Sequence, residues 1–170
     1  MLVMFWQVQR LTREINALEK QAMDKQVELS NYQKYAGVLG GASILTIGNI
    51  AGLASSLLPR ASLFAQYSNQ MSSMAAMQNL QQAKMMGQIP YLNNPIVQQQ
   101  LEMSAFAKFK EEAMKALKQQ ETQVLNEKEK EIQLELNHIE QQLAMKRKML
   151  ENYKQQAKDS VQDFVPNFGR

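Results

Sequence analysis

The stretch "NEKEKEIQLELNHIEQQL", residues 126–143, places isoleucine and leucine at alternating steps of four and three among glutamates, lysines and glutamines. Apolar residues at this spacing share one face of an α-helix, and the heptad form of the pattern is typical of coiled coils. The charged residues between them suit a helix face in water. The predicted seam of this carboxyl-terminal arm consists of Ile132, Leu136, Ile139, Leu143 and Leu150.

The amino-terminal arm, residues 1–35, repeats this spacing. Each arm has one lysine at a seam position, Lys25 and Lys146, which predicts either control of the pairing register or a polar partner there. Two heptad arms separated by an uncharged middle predict an all-α fold, a long antiparallel coiled-coil hairpin with an apolar, glycine-rich helical section in its middle. The predicted seam of the first arm consists of Leu11, Ile15, Leu18 and Leu29.

The start of the second arm is marked by local signals. Asn94 is a good N-cap, and Pro95 is tolerated at a first helical position because that position needs no N–H donor. From there the sequence predicts one helix over residues 94–165, followed by a short tail at 166–170. Such a helix would be on the order of 100 Å long. Its apolar pattern shifts phase between Glu121 and Leu125, which predicts a local unwinding or a change of partner.

The middle of the chain has an unusual distribution of charge. Between Leu29 and Leu101 there is no acidic residue, and the only cations are Lys34, Arg60 and Lys84. The flanking arms carry balanced numbers of both signs. We therefore expect the middle to be hidden from water in the working state, by lipid or by sister subunits.

Residues 36–58 form an uncharged, apolar segment of 23 residues, long enough for a helix that crosses about 30 Å of hydrocarbon. Its glycines have small-xxx-small spacing, which allows two helix backbones to approach closely. Five Ser, Thr and Asn side chains argue against a simple lipid-facing span, so burial between copies is the alternative. The residues predicted to make these contacts are Gly37, Gly41, Gly48, Gly52, Ile44, Ile47 and Ile50.

Residues 60–93 are rich in methionine and glutamine and predict a helix followed by a turn. The residues that recur at helical spacing, through about Met86, are Leu63, Phe64, Tyr67, Met71, Met74, Met77 and Leu80. This stripe is predicted to fill a core or to form an adaptable contact surface, as methionines commonly do. The opposite, uncharged polar face is predicted to face neighbouring copies or to line a lumen.

Few residues of the chain are of types that act in catalysis or bind metal ions. The chain has no cysteine and one histidine, His138, which with Glu135 makes only half of a carboxylate di-iron site. No phosphate-binding loop is present. The net charge of +3 makes no case for nucleic acid, and the basic run 146–148 lies in a charge-balanced arm. We expect a non-enzyme with no cofactor, no metal, no small-molecule substrate and no nucleic-acid partner.

These features predict a structural subunit of a homo-oligomeric, membrane-associated assembly, such as a pore or conduit for secretion or translocation. In general layout the chain is similar to small hydrophobic pore subunits of bacterial secretion machines and to internal proteins that phages eject. A soluble self-assembling scaffold or filament, or such a phage ejection protein, is the alternative, and a coiled-coil adaptor is a third hypothesis. Self-association is the expected contact, with a lipid bilayer and other assembly components as further candidate partners. We expect membrane association or export without a classical signal peptide.

Overall fold

The computed structural model describes the backbone of residues 2–41 and 50–164, and the side chains of residues 3–41 and 50–160. In these ranges the chain forms three α-helices, α1 (Leu2–Gly41), α2 (Leu58–Met85) and α3 (Pro95–Phe164). No β-strand occurs in the part of the chain that the structure describes. The predicted all-α fold is therefore confirmed.

The chain divides into two compact units. The terminal unit comprises Met1–Ser30 and Lys130–Arg170, and the central unit comprises Asn31–Glu129. Because α1 and α3 are long, each contributes residues to both units, whereas α2 belongs wholly to the central unit.

The terminal unit pairs two helical segments that run in opposite directions. Glu14 of α1 forms an ion pair with Lys146 of α3, and Lys25, further along α1, pairs with the earlier Glu135. The packing of knobs into holes that defines a coiled coil stays a prediction. Of the predicted seam residues, Leu11, Ile15, Ile132, Leu136 and Leu143 are buried, and Leu18, Leu29, Ile139 and Leu150 are half-buried.

The central unit has an apolar core to which all three helices and the α1–α2 connection contribute. Tyr35 and Leu39 extend from the last turns of α1, and Leu125 extends from α3. Leu39 and Leu125 both lie in this cluster with at most 2 % of their surface exposed. The buried members of the core are Tyr35, Leu39, Ile50, Leu53, Leu57, Ala61 and Leu125.

Helix α3 begins where the sequence predicted. The Asn94 side-chain oxygen accepts a hydrogen bond from the Ile96 N–H at 3.0 Å, and Pro95 is the first helical residue. The N-cap satisfies a backbone donor that no helical carbonyl can reach, and proline lacks the donor altogether. The helix then continues without interruption for 70 residues.

Helix α2 ends in a turn that requires glycine. Gly87 has a φ of +69°, a left-handed conformation that a residue with a Cβ adopts at a cost. Its N–H donates to the Lys84 carbonyl at 3.1 Å, and the Gln88 N–H donates to the Ala83 carbonyl at 2.9 Å. These bonds satisfy carbonyl groups at the end of α2 and direct the chain towards α3.

The continuous helix predicted over residues 36–58 does not occur in that form. Helix α1 ends at Gly41. Residues 51–57 form turns, in which the Leu53 N–H donates a hydrogen bond to the Ile50 carbonyl and the Leu57 N–H donates one to the Ala54 carbonyl. Residues 42–49 lie outside the described part. The physical reason is local, because Gly52 and the following serines are weak helix formers. Pro59 lies in the first turn of α2, where its fixed φ is favourable.

We expect Leu125→Ala to lower the free energy of unfolding by about 2–5 kcal/mol, because it opens a cavity in the core of the central unit. The Leu125 side chain is fully buried there. Urea unfolding monitored by circular dichroism measures the loss. The matched control is Leu134→Ala on the same helix, where the leucine is 69 % exposed and a change within about 0.5 kcal/mol is expected. Equal losses in the two variants would contradict the described core.

Candidate functional site: the outer face of the central helix

Helix α2 turns a stripe of small residues towards the rest of the central unit. These five side chains are between 0 and 4 % exposed. Small side chains let a helix approach its neighbours closely, whereas long side chains would hold it away. The buried residues of α2 are Ala61, Ser68, Ser72, Ala76 and Ala83.

The two buried serines do not leave polar groups without partners. The Ser68 hydroxyl donates to the Ala65 carbonyl at 3.3 Å, and the Ser72 hydroxyl donates to the Asn69 carbonyl at 3.2 Å. Among the described residues, no buried side-chain nitrogen or oxygen lacks a hydrogen-bond partner. Because each buried serine hydroxyl donates a hydrogen bond to a carbonyl of its own helix, burying it costs little free energy.

The opposite side of α2 presents large apolar side chains, which we name the outer stripe. Leu63 and Ser72 are nine residues apart, and nine steps of about 100° lead to the opposite side of a helix. Exposure in the outer stripe ranges from 37 % at Met71 to 83 % at Met85. Its members are Leu63, Tyr67, Met71, Met74, Met77 and Met85.

This arrangement corrects the sequence interpretation of the helix. Core filling and an adaptable contact surface were the two roles predicted for the stripe. Its members Phe64 and Leu80 are half-buried, and Phe64 packs against the core. Leu63, Tyr67 and the three methionines are exposed. The opposite face, predicted to meet neighbouring copies or a lumen, includes Ser68 and Ser72, which are buried in the chain's own central unit. Residue volume decided the outcome, because only small side chains fit where helices approach closely.

Both cations of α2 bind acids of α3. The Arg60 guanidinium donates to the two carboxylate oxygens of Glu121 at 2.7 and 3.1 Å, and the Lys84 ammonium lies 2.6 Å from Glu102. The Lys84 hydrogen bond, with a further one from Gln98, lowers the pKa of the Glu102 carboxyl. The sequence of α2 contains no other charged residue. The outer stripe therefore lies on a helix whose only two ionic groups are paired.

Glu121 joins the three helices of the central unit. Besides the two bonds from Arg60, it accepts a hydrogen bond from the Tyr35 hydroxyl at 3.2 Å, and its side chain is only 13 % exposed. Burial, together with the nearby Glu121 charge, raises the pKa of the Tyr35 hydroxyl. Glu121 is the residue at which the predicted phase shift begins, and that shift predicted either a local unwinding or a change of partner. The structure brings α2 against α3 at this residue.

The lysines that interrupt the two seams have polar partners within the terminal unit. The Lys25 ammonium lies 2.6 Å from Glu135 and 3.1 Å from Glu28, and hydrogen bonds to these carboxylates raise its pKa. Lys146 binds Glu14 at 2.5 Å. The hydrogen bond from Lys146, and a second from Arg10, lower the pKa of the Glu14 carboxyl. A polar partner, one of the two predicted explanations, is present for each lysine.

The predicted glycine face has no neighbouring element within the described chain. Gly37, Gly41 and Gly52 are exposed, and a Cβ placed on each would meet no atom within 4 Å. Ile50 is buried in the core of the central unit. The remaining predicted contacts at Ile44, Ile47 and Gly48 lie outside the described residues. Close backbone packing at these glycines therefore stays a prediction about a second molecule.

Neither a metal site nor a membrane span is found in the described ranges. His138 lies with its Nε2 2.8 Å from the Gln142 amide nitrogen, and Glu135 pairs with Lys25. Within residues 2–41 and 50–164, no group of three or more His, Cys, Asp and Glu residues is placed to hold a metal ion. No helix in those ranges is both long enough and apolar enough to cross a bilayer.

Comparisons with protein-family models, with curated proteins and with solved structures found no match for this chain.

We expect Arg60→Ala to destabilise the central unit by about 2 kcal/mol, because it leaves the Glu121 carboxylate with only the Tyr35 hydroxyl in a poorly solvated place. The double variant Arg60→Met with Glu121→Gln removes both charges and keeps an acceptor for Tyr35. We expect it to be more stable than Arg60→Ala. Urea unfolding measures the free energy of unfolding of both variants. A double variant as unstable as Arg60→Ala would contradict the conclusion that the unpaired Glu121 charge causes the loss.

We expect the terminal unit to lose stability in acid partly through Glu14. Because the folded chain lowers the pKa of this carboxyl below its ordinary 4.5, the stabilisation is complete above that pH and is lost as pH falls through the folded value. Thermal melts across this range should show Glu14→Gln less stable than the natural chain near neutrality and equal to it in strong acid. Glu151→Gln, at an exposed position of α3, is the control. A Glu14→Gln deficit that stays constant with pH would contradict the linkage.

Proposed function

We propose that the chain is a non-enzymatic structural subunit that assembles with identical copies through the outer stripe of α2. The observation that carries this proposal is a row of six large apolar side chains, each 37–83 % exposed, on a helix whose only ions are paired with α3. Monomeric proteins rarely expose contiguous apolar patches of more than a few hundred Å². The row extends from Leu63 to Met85, about 33 Å along the helix.

The energetics of covering this stripe favour a protein contact. Burying the exposed part of each side chain contributes on the order of 1 kcal/mol, so six side chains on each of two molecules can offset the cost of association. Methionine is flexible and adapts to irregular partner surfaces. The only two ions of α2, Arg60 and Lys84, are already paired with acids of α3, so covering the stripe does not bury an unpaired charge.

A second candidate function is a membrane-associated conduit of a secretion or translocation apparatus. The exposed glycines Gly37, Gly41 and Gly52 and the lack of any acid between Leu29 and Leu101 favour it, because small residues and few ions suit helix contacts in lipid. Here the subunits would also associate with one another, with lipid around the assembly. The coiled-coil adaptor remains the third hypothesis, in which a different protein covers the same surface.

Sedimentation of the purified full chain tests the proposal. We expect an assembly in plain buffer, and we expect Met74→Lys to weaken it by a factor of about ten or more, since it places an ion in the covered stripe. The matched control is Met103→Lys on α3, where the methionine is 65 % exposed and lies outside the stripe. A natural chain that stays monomeric at every concentration would refute self-assembly.

Flotation with liposomes separates the second candidate from the first. Recovery of the chain with the vesicles, with loss of binding when the lipid is removed by detergent, would support the conduit. Recovery wholly in the soluble fraction as a defined oligomer would support a scaffold and exclude membrane insertion.

A further inference from the structure

Residues 63–85 of α2 are partly palindromic about Met74. Pairs at equal distances before and after this residue are identical at five places, and the neighbouring small residues Ser72 and Ser73 are matched by the small residues Ala76 and Ala75. Leu63 is matched by Met85 at the two ends of the outer stripe. The identical pairs are Ala65 with Ala83, Gln66 with Gln82, Asn69 with Asn79, Gln70 with Gln78, and Met71 with Met77.

We infer that two copies of the chain meet through α2 in antiparallel orientation, about a two-fold axis that passes Met74. This inference rests on the proposed function and names its partner surface. In a two-fold interface, if one residue of the first molecule contacts a second residue of its partner, the reverse contact also forms. An antiparallel helix pair centred on Met74 places each residue before it opposite the residue equally far after it.

The symmetry matches large side chains on the exposed face. Met74 meets the same residue of the second copy at the axis, and Met71 meets Met77 of the second copy on either side of it. At the ends, Leu63 meets Met85 of the second copy. All five of these side chains are more than a third exposed in the single chain, so they are available for the contact.

The polar residues of the outer face match as well. Gln70 and Gln78 are both exposed and lie four residues from Met74 on either side, about 6 Å along the helix. In the antiparallel pair, Gln70 of each copy faces Gln78 of the other copy. A primary amide both donates and accepts, so two facing glutamines can satisfy each other without any charge.

The departures from symmetry lie mostly away from the face or at its edge. Ser68 is buried inward while its counterpart Leu80 is half-buried, and Lys84, the counterpart of Phe64, is bound to Glu102. Tyr67 faces Gln81, a pair of a large aromatic ring and a flexible amide. A parallel pair would place every residue opposite itself whatever the sequence, so it would require no such symmetry. The partial palindrome therefore favours the antiparallel arrangement.

Cysteine cross-linking tests the orientation directly, because the natural chain contains no cysteine. Full-length Gln70→Cys and Gln78→Cys variants, one carrying a size tag, are mixed and treated with a short bismaleimide reagent. We expect the mixed 70–78 product to exceed both self-linked products about fivefold or more, since in the antiparallel pair the two copies of position 70 are roughly 12 Å apart along the axis. Met74→Cys should link to itself, and Met103→Cys, on α3, should give only background.

Charge variants test the orientation of the helix pair a second time, without a cross-linking reagent. Gln70→Lys with Gln78→Glu on one chain brings opposite charges together in the antiparallel pair, so assembly should persist. Gln70→Glu with Gln78→Glu should weaken assembly about tenfold or more. A parallel pair would place like charges together in both variants and would weaken in both. Because positions 70 and 78 are exposed, thermal melts should show that both variants fold.

The outcomes separate this inference from the function on which it rests. Self-linked 70–70 and 78–78 products, or weakening of both charge variants, would overturn the antiparallel pair while a sedimenting oligomer would keep the proposed function. An oligomer that gives only background linking at positions 70, 74 and 78 would place the contact elsewhere and would also overturn the inference. A monomer in sedimentation would overturn both.

Discussion

Close packing of α2 through alanine and serine is the constraint on which the central unit depends. Its inward residues are small, and those that are polar bond to their own backbone, so the helix can lie close to its neighbours without burying an unpaired group. The methionines of the same helix lie on the other side. An exposed methionine-rich stripe follows from this close packing. The exposed outer stripe and the residues that line the interior of the central unit therefore lie on two sides of the same helix.

The ion pairs of the central unit follow from a second constraint, the lack of acidic residues in the middle of the sequence. The sequence between Leu29 and Leu101 contains cations but no acid, so any ion pair there must use an acid from elsewhere in the chain. The long helix α3 supplies Glu121 and Glu102, which bind Arg60 and Lys84. Each of these pairs also ties α2 to α3, near the two ends of α2. The low charge of the outer face therefore results from the fold as well as from the composition.

Local signals in the sequence identified the long helices well. Asn94 and Pro95 define the start of α3 because capping involves only neighbouring backbone groups, which a sequence displays directly. The heptad positions are buried or half-buried because their spacing alone brings them to one face of each helix. The interruptions at Lys25 and Lys146 predicted either register control or polar partners, but the sequence did not identify Glu135 and Glu14 as those partners. Those partners depend on the register between two distant segments.

By itself, the sequence determined that this protein is all-α, where its longest helix starts and which residues could form the seams, because helix formation and capping act over a few neighbouring residues. Only the tertiary structure decided that residues 51–57 turn, that Ser68 and Ser72 are buried and that the methionines of α2 are exposed. Hydropathy ranks methionine as apolar and serine as polar, but the space between packed helices selects by volume. That space is defined only when α1, α2 and α3 come together.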